Sequence, residues 1–209
     1  MLKRSSLLTL PLLCLTLAAC DDSTGPESGG LTASEASALA VAVDNASSAG
    51  VENPSEPSMS LSPSPGPALS VTTRTDEFEF DLSCPRGGTT SLRGDHVLVI
   101  DTDEGFITVD ITASKGHSAC VFRTDQGVDI TVDGVLEFVA ERELREGLLS
   151  ASQTHSGSLE YSTSDGKTGT CAIDISTSFT LTPGAASRTI LGSVCGHDVD
   201  LSTSWEHTA

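Results

Sequence analysis

The chain has 209 residues, with 29 acidic side chains against 11 basic ones, a formal net charge of −18 and 4% aromatic residues. A phosphate backbone would be repelled by such a charge, so the composition argues against nucleic acid as a partner. So few aromatics also argue against a stacking platform for carbohydrate.

The chain opens on a basic pair, Lys3 and Arg4, followed by an apolar run from Ser5 to Ala19 that Pro11 interrupts. A membrane-spanning helix takes about 20 apolar residues to cross about 30 Å of hydrocarbon, and this run falls short of that. It ends in Leu17-Ala18-Ala19-Cys20, which resembles the bacterial lipobox. The resemblance covers the leader alone. It implies that residues 1–19 are a lipoprotein signal peptide, that Cys20 is the lipid attachment site, and that the exported chain is held in the cell envelope by that lipid. Asp21 marks inner-membrane retention in some lineages and not in others, so the choice between inner and outer membrane stays open. Removal of Lys3 and Arg4 leaves 9 basic residues against 29 acidic, a net of −20.

Residues 20–68 read as a tether. "DDSTGPESGG" at 21–30 has too little apolar surface for a core. Thr32 with Glu35 three residues on forms a capping-box pattern, and Leu39, Ala40 and Val43 follow at helical spacing, which predicts a helix near 33–47. Its apolar face is narrow and Ala-rich, so only weak docking is expected. Residues 53–67 carry Pro54, Pro57, Pro63, Pro65 and Pro67 among Ser and Gly, an extended spacer.

From residue 69 to 209 the texture becomes short alternating runs rich in Thr, Val and Ile, punctuated by Asp-Gly and Glu-Gly pairs. The pattern predicts an all-β domain, an antiparallel meander forming a sandwich or a barrel. In "EFEFDLSC", 77–84, the residues Phe78, Phe80, Leu82 and Cys84 point to one face, while Glu77, Glu79 and Asp81 point to the other. Keeping apolar residues on one face favours three-residue loops at 132–134, 164–166 and 103–105. Those loops would pair Ile130 with Leu136, Leu159 with Cys171, Val99 with Val109 and Val97 with Ile111. Residues 135–147 also carry a helical period, but read as strand.

Export to an oxidising compartment makes Cys84, Cys120, Cys171 and Cys195 disulfide partners. Each shares phase with apolar neighbours, Cys195 with Leu191 and Val199. A hairpin at Pro183-Gly184 would set Cys171 against Cys195, which leaves Cys84 for Cys120.

Motifs for chemistry are sparse. "GHSAC", 116–120, approaches a nucleophile elbow, but Cys120 stands in place of its last Gly and no strand-to-helix turn is predicted, so Ser118 reads as a loop residue. "DTDEG", 101–105, reads first as a hairpin turn, with Asp101, Asp103 and Glu104 a lesser candidate for Ca²⁺. His96, His117, His155, His197 and His207 are scattered and read as solvated, with no metal-ligand spacing. The pairs Glu77/Glu79 and Asp198/Asp200 read as an outward acidic face that discourages edge aggregation. No cofactor is implied. The expectation is a non-enzymatic structural or binding β module on a membrane anchor. The alternatives are a hydrolase built from dispersed Asp, Glu and His residues, or a small-ligand carrier if the strands enclose a cavity.

Overall fold

The computed structural model of the chain describes residues 30–52 and 71–206, and of residues 46–52 the backbone alone. The leader, Cys20, tether residues 21–29, the Pro-rich spacer and His207 lie outside the described residues.

Among the described residues, one helix precedes eight strands: α1 (Ala33–Glu52), β1 (Val71–Ser83), β2 (Thr89–Asp101), β3 (Phe106–Arg123), β4 (Asp129–Arg145), β5 (Leu148–Thr163), β6 (Thr168–Thr182), β7 (Ala185–Val194) and β8 (His197–Glu206). Each strand pairs antiparallel with the next, in one sheet of order β1 to β8. The fold is therefore all-β, a meander with an N-terminal helix. Residues 135–145 are strand, part of β4.

The helix departs from the expectation of weak docking. Leu39, Ala40 and Val43 are fully buried and belong to the same core as Ile130, Leu159, Ile173 and Val194 of the sheet. Neighbouring residues Val43 and Asp44 bond to Lys115 of β3 and Arg188 of β7. In a flat sheet those strands would lie about 19 Å apart, at about 4.8 Å per strand. The sheet must therefore curl around α1. The small Ala face is what permits this, because Ala36 and Ala40 let the helix approach the strands on several sides at once. Burying Leu39 and Val43 contributes about 1.5–3 kcal/mol each. The capping box forms as predicted. The Thr32 N–H donates to Glu35 Oε2 at 2.7 Å, and the Glu35 N–H donates to Thr32 Oγ1 at 3.3 Å.

Two predicted loops differ. Residues 132–134 do not turn; they run straight through β4. Opposite them β3 carries a bulge, since His117 pairs with Gly134 but Cys120 pairs with Val132. Ala119 in the bulge has φ of 46°, and its N–H donates to Asp133 Oδ1 at 2.7 Å. Asp133 thus clamps a bulge rather than starting a hairpin. Gly134, with φ of 135°, is needed because a Cβ there would lie 3.1 Å from Ser158 O. The bulge shifts the phase of β3: Ile111, Ala113, Lys115 and His117 face inward before it, and Cys120 and Phe122 after it. Ser118 accordingly sits within a strand, not a loop.

The β2–β3 hairpin is longer by one residue than predicted, with Asp101 opposite Phe106. Leu98 therefore meets Val109 and His96 meets Ile111, instead of Val99 meeting Val109 and Val97 meeting Ile111. The cause is Asp101, whose Oδ1 accepts the N–H groups of Asp103 and Glu104, both at 2.9 Å. The 164–166 loop does have the expected register, with Leu159 opposite Cys171.

Both disulfides pair as expected, Cys84 with Cys120 and Cys171 with Cys195, at Cα separations of 5.5 and 4.4 Å. The phase argument fails for Cys195. It lies in the β7–β8 turn with φ of 53°, while Val194 is the buried residue and Leu191 is exposed.

Candidate functional site

The acidic row of β1 meets solvent, Glu77, Glu79 and Asp81 all being exposed, and the apolar row opposite is only partly covered, Phe80 remaining 36% exposed. The inner face holds a different set of polar residues. Lys115 on β3, His155 and Gln153 on β5, Thr177 on β6 and Arg188 on β7 all point toward α1. Each step across the sheet moves this band along by about one inward position, so it runs obliquely.

The band converges on the middle of α1. Asp44, fully buried, accepts from Thr177 Oγ1 at 2.7 Å and from Gln153 Nε2, and pairs with the Arg188 guanidinium. Arg188 also donates to Asn45 Oδ1 at 2.7 Å. Lys115, fully buried, donates to the Val43 carbonyl, and burial pushes its ammonium down to about 7. His155 lies 3.8 Å from Asp44 and stacks at a tilt on Phe138, with ring centroids 5.1 Å apart. His117 meets Thr90 Oγ1 at 3.0 Å. Burial, reinforced by Lys115, holds both imidazoles down to about 3. At neutral pH they are neutral members of a core. The buried Asp44 carboxylate is satisfied by these partners, while the Arg188 guanidinium reaches it from a partly exposed position.

A second anchor sits at the helix N-terminus. Glu35, buried, takes Lys167 Nζ on both carboxylate oxygens, at 2.7 and 2.8 Å. Desolvation alone would raise its carboxyl, but Lys167 and the Thr32 hydrogen bonds outweigh it and hold the group below its ordinary value. His197 makes a hydrogen bond with the Leu31 carbonyl at 2.7 Å.

Between α1 and β1 the sheet leaves a crevice of about 360 Å³, its helix wall formed by Ala38 and Val41 and its sheet wall by Leu82 and Phe122. Cys84 of the first disulfide lies in its lining, and Arg86 and Arg123 are the charged residues of that lining.

Sequence reasoning expected His117 and His155 to be solvated, and it overlooked Lys115 and Asp44. The signal was present. Lys115 and His117 alternate in phase with Ile107, Val109 and Ile111, and Asp44 follows Ala40 by one helical turn. Of the calcium candidates, Asp101 spends its oxygen on the turn's own backbone. Among the described residues no group of three or more His, Cys, Asp or Glu side chains converges on a metal position. No family model matches the chain, and neither a curated protein nor a solved structure does.

Proposed function

We propose that this chain is a non-enzymatic binding module of the bacterial cell envelope, exported and held at a membrane by lipid on Cys20. The observation that carries the reading is the state of the inner face. Its ionisable groups serve to fix α1, with Asp44 bonded to Gln153, Thr177 and Arg188, and Lys115 bonded to the helix backbone. A catalytic acid or base needs access to substrate and a proton affinity near the working pH. Here His117 and His155 are buried and held at about 3, far below that range. The reading of a hydrolase built from dispersed residues therefore loses its best candidates, while a rigid scaffold with a rim crevice suits binding.

The anchor follows from the Leu17-Ala18-Ala19-Cys20 box, and no described helix is long and apolar enough to cross a membrane. Acyl-labelling of the full chain and of Cys20→Ala tests it. The expected result is label and membrane association in the first and neither in the second. Equal label in both would contradict it.

A further inference from the structure

We propose that the open end of the curled sheet binds an anionic amphiphile, its head group on Arg142 and its apolar body against Ile107, Leu144 and Leu149. This rests on the reading of the chain as a binding module and supplies its ligand class.

The strand register lays the inner face out in rows. One row carries three arginines, Arg74 on β1, Arg142 on β4 and Arg188 on β7, joined through direct cross-strand partners. It faces the helix, since Arg188 donates to Asn45 and pairs with Asp44 of α1. The outer face is separate here. On it Arg145 donates to Glu143 at 3.0 Å and stands over the Phe106 ring at 5.0 Å. The next inner row is the last at this end, and it is apolar from Ile100 on β2 to Ala186 on β7. Within it Ile107 and Leu144 remain 36% and 43% exposed. Arg142 lies beneath this collar, partly buried, with Val109 and Ala151 as its cross-strand neighbours.

Charge selects the ligand. Arg74 has Asp76 as its carboxylate, and Arg188 has Asp44. Arg142 has neither an ion pair nor a side-chain hydrogen bond among the described residues. Burial pushes its guanidinium down with no carboxylate to offset that, yet an arginine keeps its charge. A desolvated charge without a partner is costly. An anion with two oxygens on one centre would satisfy the guanidinium fork. The collar would take an attached apolar body out of water. A cationic amphiphile would meet the same collar and leave Arg142 unpaired.

The shape agrees with a small molecule, because such sites are concave and apolar with a few convergent polar groups. An anionic bilayer fits less well. Asp103, Glu104 and Glu146 are exposed on the hairpin loops at this end and would meet its headgroups first.

The test uses the full chain in phosphatidylcholine nanodiscs and a diazirine-bearing decanesulfonate as probe, with labelled residues mapped by mass spectrometry. Label is expected on residues 100–107 and 144–151. Excess decanesulfonate should lower it about tenfold, and decyltrimethylammonium should not. Arg142→Gln should lose label about tenfold. Leu144→Glu should lose it too, because its carboxylate stands beside Arg142 and takes the ligand's place. Arg74→Gln, whose cation already has Asp76, should keep label within about twofold. Intact disulfides report folding in every variant. Absence of competable label, equal label in Arg142→Gln, or equal competition by the cationic amphiphile would overturn the anionic amphiphile and leave the binding module standing. Loss of competable label on changing the lipid to phosphatidylglycerol would show that this face takes bilayer headgroups, and would overturn the free ligand. Chemical conversion of the probe by the chain would instead overturn the non-enzymatic reading.

Discussion

The Asp133 carboxylate accepts the Ala119 N–H at 2.7 Å across the β3–β4 pair, and that bond sets which face of β3 each later residue occupies. Without the two-residue bulge at Ser118 and Ala119, Cys120 would point outward and could not meet Cys84. The neighbouring turn is fitted to the bulge. A Cβ on Gly88 would stand 1.9 Å from Ala119 O, so only glycine allows the 85–88 loop to close over it.

Asp133→Ala should therefore destabilise the domain by about 1.5 kcal/mol, the low end for a bond to a charged group because this one is exposed. Urea unfolding of the oxidised protein measures it. The same variant should slow formation of the Cys84–Cys120 bond during refolding, while leaving Cys171–Cys195 unaffected.

Lys115→Met should stabilise the protein. The folded ammonium is pushed down to about 7, below its ordinary value, so the unfolded chain binds more protons between pH 7 and 10.5. Stability of the native sequence should rise with pH across that window, with the full cost of burial present below pH 7. The gain from Met should be on the order of a few kcal/mol at pH 6 and shrink toward pH 10. Thermal melts of both proteins at the two pH values show whether the difference closes.

Acid acts through the histidines in the same direction. His117 and His155 are held at about 3 against an ordinary 6.5, so the unfolded chain takes up more protons as pH falls from 6.5 to 3. Stability should fall through that interval. His155→Leu, which keeps the packing on Phe138, should flatten the acid limb and move the acid-unfolding midpoint to lower pH. Circular dichroism against pH reads this directly, and an unchanged midpoint would remove His155 from the explanation.

The disulfides should each contribute about 2–4 kcal/mol, chiefly by restricting the unfolded chain. Cys84–Cys120 spans 36 residues and Cys171–Cys195 spans 24, so loss of the first should cost slightly more. Paired Cys→Ser variants compared by denaturant midpoint give the ranking. Non-reducing peptide mapping of the oxidised protein checks the connectivity.

Period-two alternation was enough to recover the strands, because burial on one face leaves a local trace in every strand. Both cysteine pairs came instead from the Pro183-Gly184 turn and elimination, since alternation misplaces Cys195. What it missed depends on contacts distant in sequence. Asp133-Gly134 has the composition of a turn, yet Asp133 serves Ala119 and Gly134 serves Leu159 and Ser158, and neither partner is visible from the dipeptide itself. The narrow Ala face of α1 suggested weak docking, whereas a curled sheet makes a slim helix the better filler. Lys115 and His155 were passed over because charge and polarity were weighed ahead of phase. The crevice needed three separate segments brought together, α1, the end of β1 and the end of β3, and no short window of sequence contains them.

Native-state hydrogen exchange of α1 tests most directly the claim that the helix permanently fills the sheet's inner face, leaving binding to the rim. The amides of Leu39 to Asp44 should exchange with the same opening free energy as those of β4 and β5, through global unfolding alone. Exchange of those helix amides about a hundredfold or more faster than the sheet under native conditions would contradict the account, since Lys115, His117 and His155 would then line an interior that opens.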